Sequence, residues 1–169
     1  AKAMSRVYFN KLNVVIFLAY FMSSISVAVP VALITTVSNE LRDESDSAAS
    51  FSAKVAAWAV AGTSLGKAIN GFVGDSFGAR RTMAVSFLLQ AAALFLYSKG
   101  EGANSIGVGN MLLEYFNSVH WPCMTIVLST HYLDNKEGLE AGVMVLGLSS
   151  RAGALIGIPI VSVVNSLLG

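Results

Sequence analysis

Lys67-Ala-Ile-Asn-Gly71-Phe-Val-Gly74-Asp75-Ser-Phe-Gly78-Ala-Arg80-Arg81 has apolar residues before it and a longer apolar run after it. The tight part, residues 74–81, is rich in glycine and holds one acid and two arginines. A turn this short between two long apolar segments forces them into an antiparallel hairpin. Working outward, five membrane-length segments are read, at about 12–37, 51–73, 82–98, 106–130 and 141–168. About 20 predominantly apolar residues suffice to cross a bilayer as a helix. The stretches between them, 38–50, 99–105 and 131–140, read as loops, the first of them acidic.

Composition agrees. Of the 169 residues, 54% are hydrophobic and only 12% are charged, half the charged share usual for a soluble domain. The expected fold is all-α: a polytopic transmembrane helix bundle, with 1–169 as a single domain. The segments are too long for barrel strands, and helices satisfy their own backbone groups in lipid. A net charge of +1 implies no bulk electrostatic partner, and the scattered basic residues argue against a nucleic-acid surface. Cys123 is the only cysteine, which excludes an intrachain disulfide or a cysteine metal cluster. His120 and His131 are too far apart and too poorly supported to argue a metal site.

Lysine and arginine placement sets the expected topology. One side carries Lys2, Arg6, Lys11, Arg80, Arg81 and Lys136; the other carries Arg42, Lys99 and the acids Glu40, Asp43, Glu44 and Asp46. The N-terminus and the 74–81 turn are therefore expected on the cytoplasmic side, or the stromal or matrix side in an organelle.

Gly71, Asp75, Gly78, Arg80 and Arg81 resemble the loop motif between the second and third helices of the major facilitator superfamily, Gly-x-x-x-Asp-Arg-x-Gly-Arg-Arg/Lys. Ser76 stands where that motif has its first arginine. His120-Trp121-Pro122-Cys123, His131-Tyr132 and Lys136-Glu137-Gly138 are similar to the fourth helix and following loop of the organic-anion and organophosphate/phosphate branches. Lys67 matches a lysine of the organophosphate antiporters, and Gly157-Ile-Pro159 fits the fifth helix. Asn110 falls where the fourth helix often has an arginine, with Glu114 in place of a nearby glycine. The resemblance covers the N-terminal half of a twelve-helix fold. It implies a second half, as a continuation or another chain, and a cytoplasmic gate made by Gly71, Asp75, Gly78, Arg80 and Arg81.

Four residues are candidate substrate contacts: Arg151, Lys67, His120 and Glu114. Arg151 lies near the middle of the fifth segment, where a charge costs roughly 2.5–3.5 kcal/mol on insertion scales. It should face a cavity or a partner, as an anion ligand or as the ion-pair partner of Glu114. Glu114 can carry a proton or neutralise a cation. His120 can relay protons or simply pack beside Trp121. Lys67 can reach a cavity or snorkel to the interface.

Two functions follow as expectations. The first is a transporter moving a small anion, such as phosphate, a phosphorylated metabolite or a carboxylate, by alternating access and without a cofactor. The second is a non-enzymatic structural subunit of a larger energy-converting or light-harvesting membrane complex, in which the cavity face meets protein or lipid. There His120, Glu114, Asn110 or Gln90 could ligate a pigment. No hydrolase, kinase or dinucleotide motif is present.

Overall fold

The computed structural model describes residues 10–41 and 47–168. Lys2, Arg6, Arg42, Asp43, Glu44 and Asp46, used above for topology, lie outside them. The described residues form six helices and no strand: α1 (Lys11–Leu41), α2 (Ala48–Phe77), α3 (Ala79–Ser98), α4 (Ala103–Asn117), α5 (His120–His131) and α6 (Lys136–Leu168). Helices α1, α3 and α6 are each long and apolar enough to cross a membrane, which marks the chain as a membrane protein. Helix α2, with 30 residues, spans roughly 45 Å but is richer in small and polar residues.

Chemistry at the ends explains the boundaries. The Ser47 hydroxyl accepts from the Ser50 N–H at 3.1 Å and starts α2. The Asn135 side chain accepts from the Gly138 N–H at 2.9 Å and starts α6. Helix therefore extends into stretches expected as loop: α1 runs on to Leu41, α2 begins at Ala48 and α6 at Lys136. The tight turn expected over 74–81 narrows to a single residue between helices. Gly74 and Asp75 belong to the last turn of α2, Arg80 and Arg81 to the first turn of α3, and only Gly78 lies between. Its φ of 85° is the one positive φ among the described residues, and glycine enters that region without steric cost.

The expected fourth segment is broken. Pro122 has no N–H to offer the Ser118 carbonyl, and its ring crowds that carbonyl. The chain therefore leaves α4 at Asn117 and restarts as α5 at His120.

Two parallel pairs organise the packing. In the first, Asn13 meets Gly142, Ser24 meets Gly153, Ala28 meets Gly157, and Asn165 donates to Thr36 at 3.2 Å. Each of these pairs joins residues 129 apart, so α1 and α6 run side by side in one unbroken register. In the second, Trp58 meets Gly107, Gly62 meets Met111, Gly66 meets Tyr115 and Gly74 meets Cys123, all 49 apart. Small residues allow this approach: a Cβ at Gly62 would lie 2.1 Å from the Met111 carbonyl oxygen, and one at Gly153 2.6 Å from that of Phe21. Helix α3 runs antiparallel to α4 and α5, with Tyr97 against Gly109 and Phe87 stacked on His120. The chain direction thus alternates through α1, α2, α3, the α4–α5 pair and α6.

Candidate functional site

The α2 seam uses Gly62, Gly66, Asn70 and Gly74, one turn apart and all buried. The next residue round the helix after each glycine falls on the flank of that seam. Thr63 and Lys67 are two of these. On α4 the seam is made by Met111 and Tyr115, so Glu114 falls on the matching flank. The result is a cleft of ≈ 570 Å³ whose polar lining comes from Tyr20, Thr63, Lys67, Glu114, Asn117, Ser118 and Trp121.

Glu114 is half-buried there. It accepts from Thr63 Oγ1 at 3.2 Å, and Asn117 also bonds it. Lys67 is the basic side chain whose charge reaches Glu114, without a direct ion pair between them. Tyr20 extends the site toward α6: its hydroxyl interacts with Ser150 and lies close to Glu114. The cleft therefore pairs an ammonium with three donors and a carboxylate already supplied with donors. Such a pair can hold an anion at the lysine only by loosening the lysine's hold on Glu114.

His120 is not part of this lining. It is fully buried, stacked on Phe87 with ring centroids 4.1 Å apart. Its Nδ1 lies 2.7 Å from Ser23 Oγ. The same hydroxyl is 2.9 Å from Asn117 Oδ1 and 3.1 Å from Gln90 Oε1, so one serine joins α1, α3, α4 and α5. His120 Nε2 has no hydrogen-bond partner among the described residues. With the whole side chain enclosed, Nε2 is not reached from outside the bundle by a group the size of a pigment.

Arg151 lies elsewhere again. The buried face of α6 runs through Gly142, Leu146, Ser149, Gly153 and Gly157. Arg151 is exposed on the opposite face, in line with the exposed Met144, Leu148 and Leu155. It forms no ion pair with Glu114, the internal partner expected for it; Lys67 is the charge beside Glu114.

The gate-motif residues sit at the end of the bundle where α2 meets α3. Asp75, Arg80 and Arg81 are all exposed, and among the described residues Asp75 is not ion-paired to either arginine. A Cβ at Gly71 would meet nothing within 4 Å, so packing does not demand glycine there. No group of three or more His, Cys, Asp or Glu side chains is placed to hold a metal among the described residues.

Sequence reading missed Tyr20, Thr63, Asn70 and Ser118. For Thr63 a signal existed: it precedes Lys67 by four residues and so shares its helix face. For Tyr20 there was none, because nothing in α1 indicates which of its faces meets α4. No family model matches the chain, and no curated protein or solved structure does.

Proposed function

We propose that the chain is one half of a major-facilitator-type secondary transporter and moves a small anion by alternating access. The cleft that brings Lys67 and Glu114 together carries this reading. An ammonium and a carboxylate held at depth are costly unless they are used, and here they line an open cleft instead of a sealed core. Lys67 receives the phosphate or carboxylate group. Glu114, steadied by Thr63, balances the lysine between turnovers. Arg151 offers a second cationic group from the bare face of α6, where the other half closes over the anion. The gate residues Asp75, Arg80 and Arg81 open and close the end at which α2 meets α3. The alternating chain direction supports five spans, with α2 and the α4–α5 pair as the second and fourth, and the placement of lysine and arginine supports an N-terminus on the cytoplasmic, stromal or matrix side.

The test is uptake of labelled phosphate, and separately of a labelled dicarboxylate, by liposomes containing the protein with its second half. Lys67→Gln should abolish uptake of the transported anion, and Lys67→Arg should keep part of it. Uptake unchanged in Lys67→Gln would end this reading.

The bare face of α6 favours a second reading, a structural subunit. An apolar helix face with an arginine at its centre needs a covering protein, which a neighbouring subunit would provide. In that case neither anion is transported, and Arg151→Leu disrupts assembly.

A further inference from the structure

Two clefts meet at the α2–α3 junction. The first, of ≈ 530 Å³, is lined on its polar side by Arg80, Arg81, Thr130 and His131. The second, of ≈ 400 Å³, is an apolar groove between α2, α3 and α4, walled by Val73, Val85, Leu89, Phe116 and Val119. Phe77 and Arg81 line both, so the two adjoin. We propose that they form one binding site for a phospholipid with an anionic headgroup.

The order of groups along α3 is the order of groups along such a lipid. Arg80 and Arg81 are the second and third residues of a membrane-length helix, at headgroup level. Both are exposed and neither is held by Asp75. A guanidinium binds phosphate oxygens in a planar, two-point fashion, and His131 adds a ring N–H from the last residue of α5. One residue deeper, Thr82 is only 8% exposed, lines the groove, and its hydroxyl has no hydrogen-bond partner among the described residues. A buried hydroxyl left unpaired costs free energy, and it lies where the ester carbonyls of a lipid would sit. Beyond it the wall is hydrocarbon. From Arg81 to Leu89 the groove runs roughly 12 Å at the helical rise, which suits an acyl chain and no soluble anion. Arginines acting only as a topology signal require neither the groove nor the hydroxyl.

The experiment is native mass spectrometry of the full protein in mild detergent, titrated with phosphatidylglycerol and, separately, phosphatidylcholine of the same chains. Phosphatidylglycerol should be retained and phosphatidylcholine released. The double variant R80Q/R81Q should bind phosphatidylglycerol about 25-fold more weakly, about fivefold for each arginine, while R80K/R81K keeps most of the affinity. Val85→Trp fills the groove at an exposed position away from the junction. It should weaken binding at least fivefold with an unchanged circular dichroism spectrum, and it tests the site even if R80Q/R81Q fails to fold. Equal retention of the two lipids, or full binding by Val85→Trp, would overturn the proposal. Displacement of the lipid by millimolar inorganic phosphate would overturn it too, and would assign the arginines to a soluble phosphate.

Discussion

Asn70 on α2 donates to the Tyr115 carbonyl at the end of α4, at 2.9 Å. That carbonyl is one that the helix break leaves without its usual backbone donor: the Val119 N–H bonds Phe116 instead. The Asn70 amide also donates to Ser118 Oγ at 2.7 Å, and Ser118 itself donates to the Tyr115 oxygen. A defect made by Pro122 in one helix is thus repaired by a side chain of its neighbour. The repair sits in the glycine seam that fixes the α2–α4 register.

Asn70→Leu should therefore cost about 1–2 kcal/mol. Side-chain hydrogen bonds in membranes average near 0.6 kcal/mol, and here two are lost, which leaves the Tyr115 carbonyl with the Ser118 hydroxyl alone. Unfolding in mixed micelles of mild and denaturing detergent, followed by far-UV circular dichroism, measures it. A loss below ~0.5 kcal/mol would mean that water already serves the break.

The glycines of α2 divide by what a methyl group would meet. At Gly62 it would lie 2.1 Å from the Met111 backbone, whereas at Gly71 it would meet open space. Gly62→Ala should force the helices apart and cost ~1–3 kcal/mol. Gly71→Ala should be neutral or gain up to ~1 kcal/mol from helix propensity. The same unfolding assay compares them. If Gly71→Ala loses uptake at full stability, that glycine serves motion and not packing.

Gly78 is a third case, since its constraint is conformational. A side chain there meets nothing within 4 Å, yet φ is 85°. Gly78→Ala should cost ~1–3 kcal/mol through the backbone alone. Amide exchange should rise in the last turn of α2 and the first turn of α3 and stay unchanged in α6. Protection lost evenly over all helices would place the effect outside the junction.

The sequence made the helical segments legible because long apolar runs and their polar breaks are local signals. It hid their meeting points, which depend on how each helix is rotated. The break after Asn117 was foreshadowed by Pro122, but its partner Asn70 is 45 residues from Tyr115, and no local pattern links them. Glycine composition suggested a tight turn over the whole of 74–81, since glycine serves both turns and close helix packing. Here Gly74 packs against Cys123 and only Gly78 turns the chain. Lys67 and Glu114 were each recognisable as charges at depth. Their proximity follows from the shared register of α2 and α4, which a single sequence does not display. The expected Arg151–Glu114 pair failed for the same reason: the glycine stripe of α6 faces α1 and turns Arg151 outward.

Ser23 holds four helices together through one hydroxyl. Ser23→Ala removes the partner of His120 Nδ1 and leaves Gln90 and Asn117 facing a gap. A loss of ~1–2 kcal/mol is expected, with most of it restored by Ser23→Thr. Equal losses in both variants would show that volume at this position matters, and not the hydroxyl.

Arg151 yields the sharpest separation of stability from function. It is exposed and forms no ion pair with a described residue, so the bundle gains nothing from it. A charge at this depth disfavours the membrane by roughly 2.5–3.5 kcal/mol on insertion scales. Arg151→Leu should thus leave detergent unfolding unchanged or raise stability slightly. A transporter half would lose anion uptake while keeping its partner, because there the guanidinium serves the substrate. A structural subunit would instead lose its place in the assembly, read as a shift to smaller particles in size-exclusion chromatography of the solubilised complex. If uptake and particle size both stay unchanged, Arg151 faces neither substrate nor partner, and the case for a covering body on α6 falls with it.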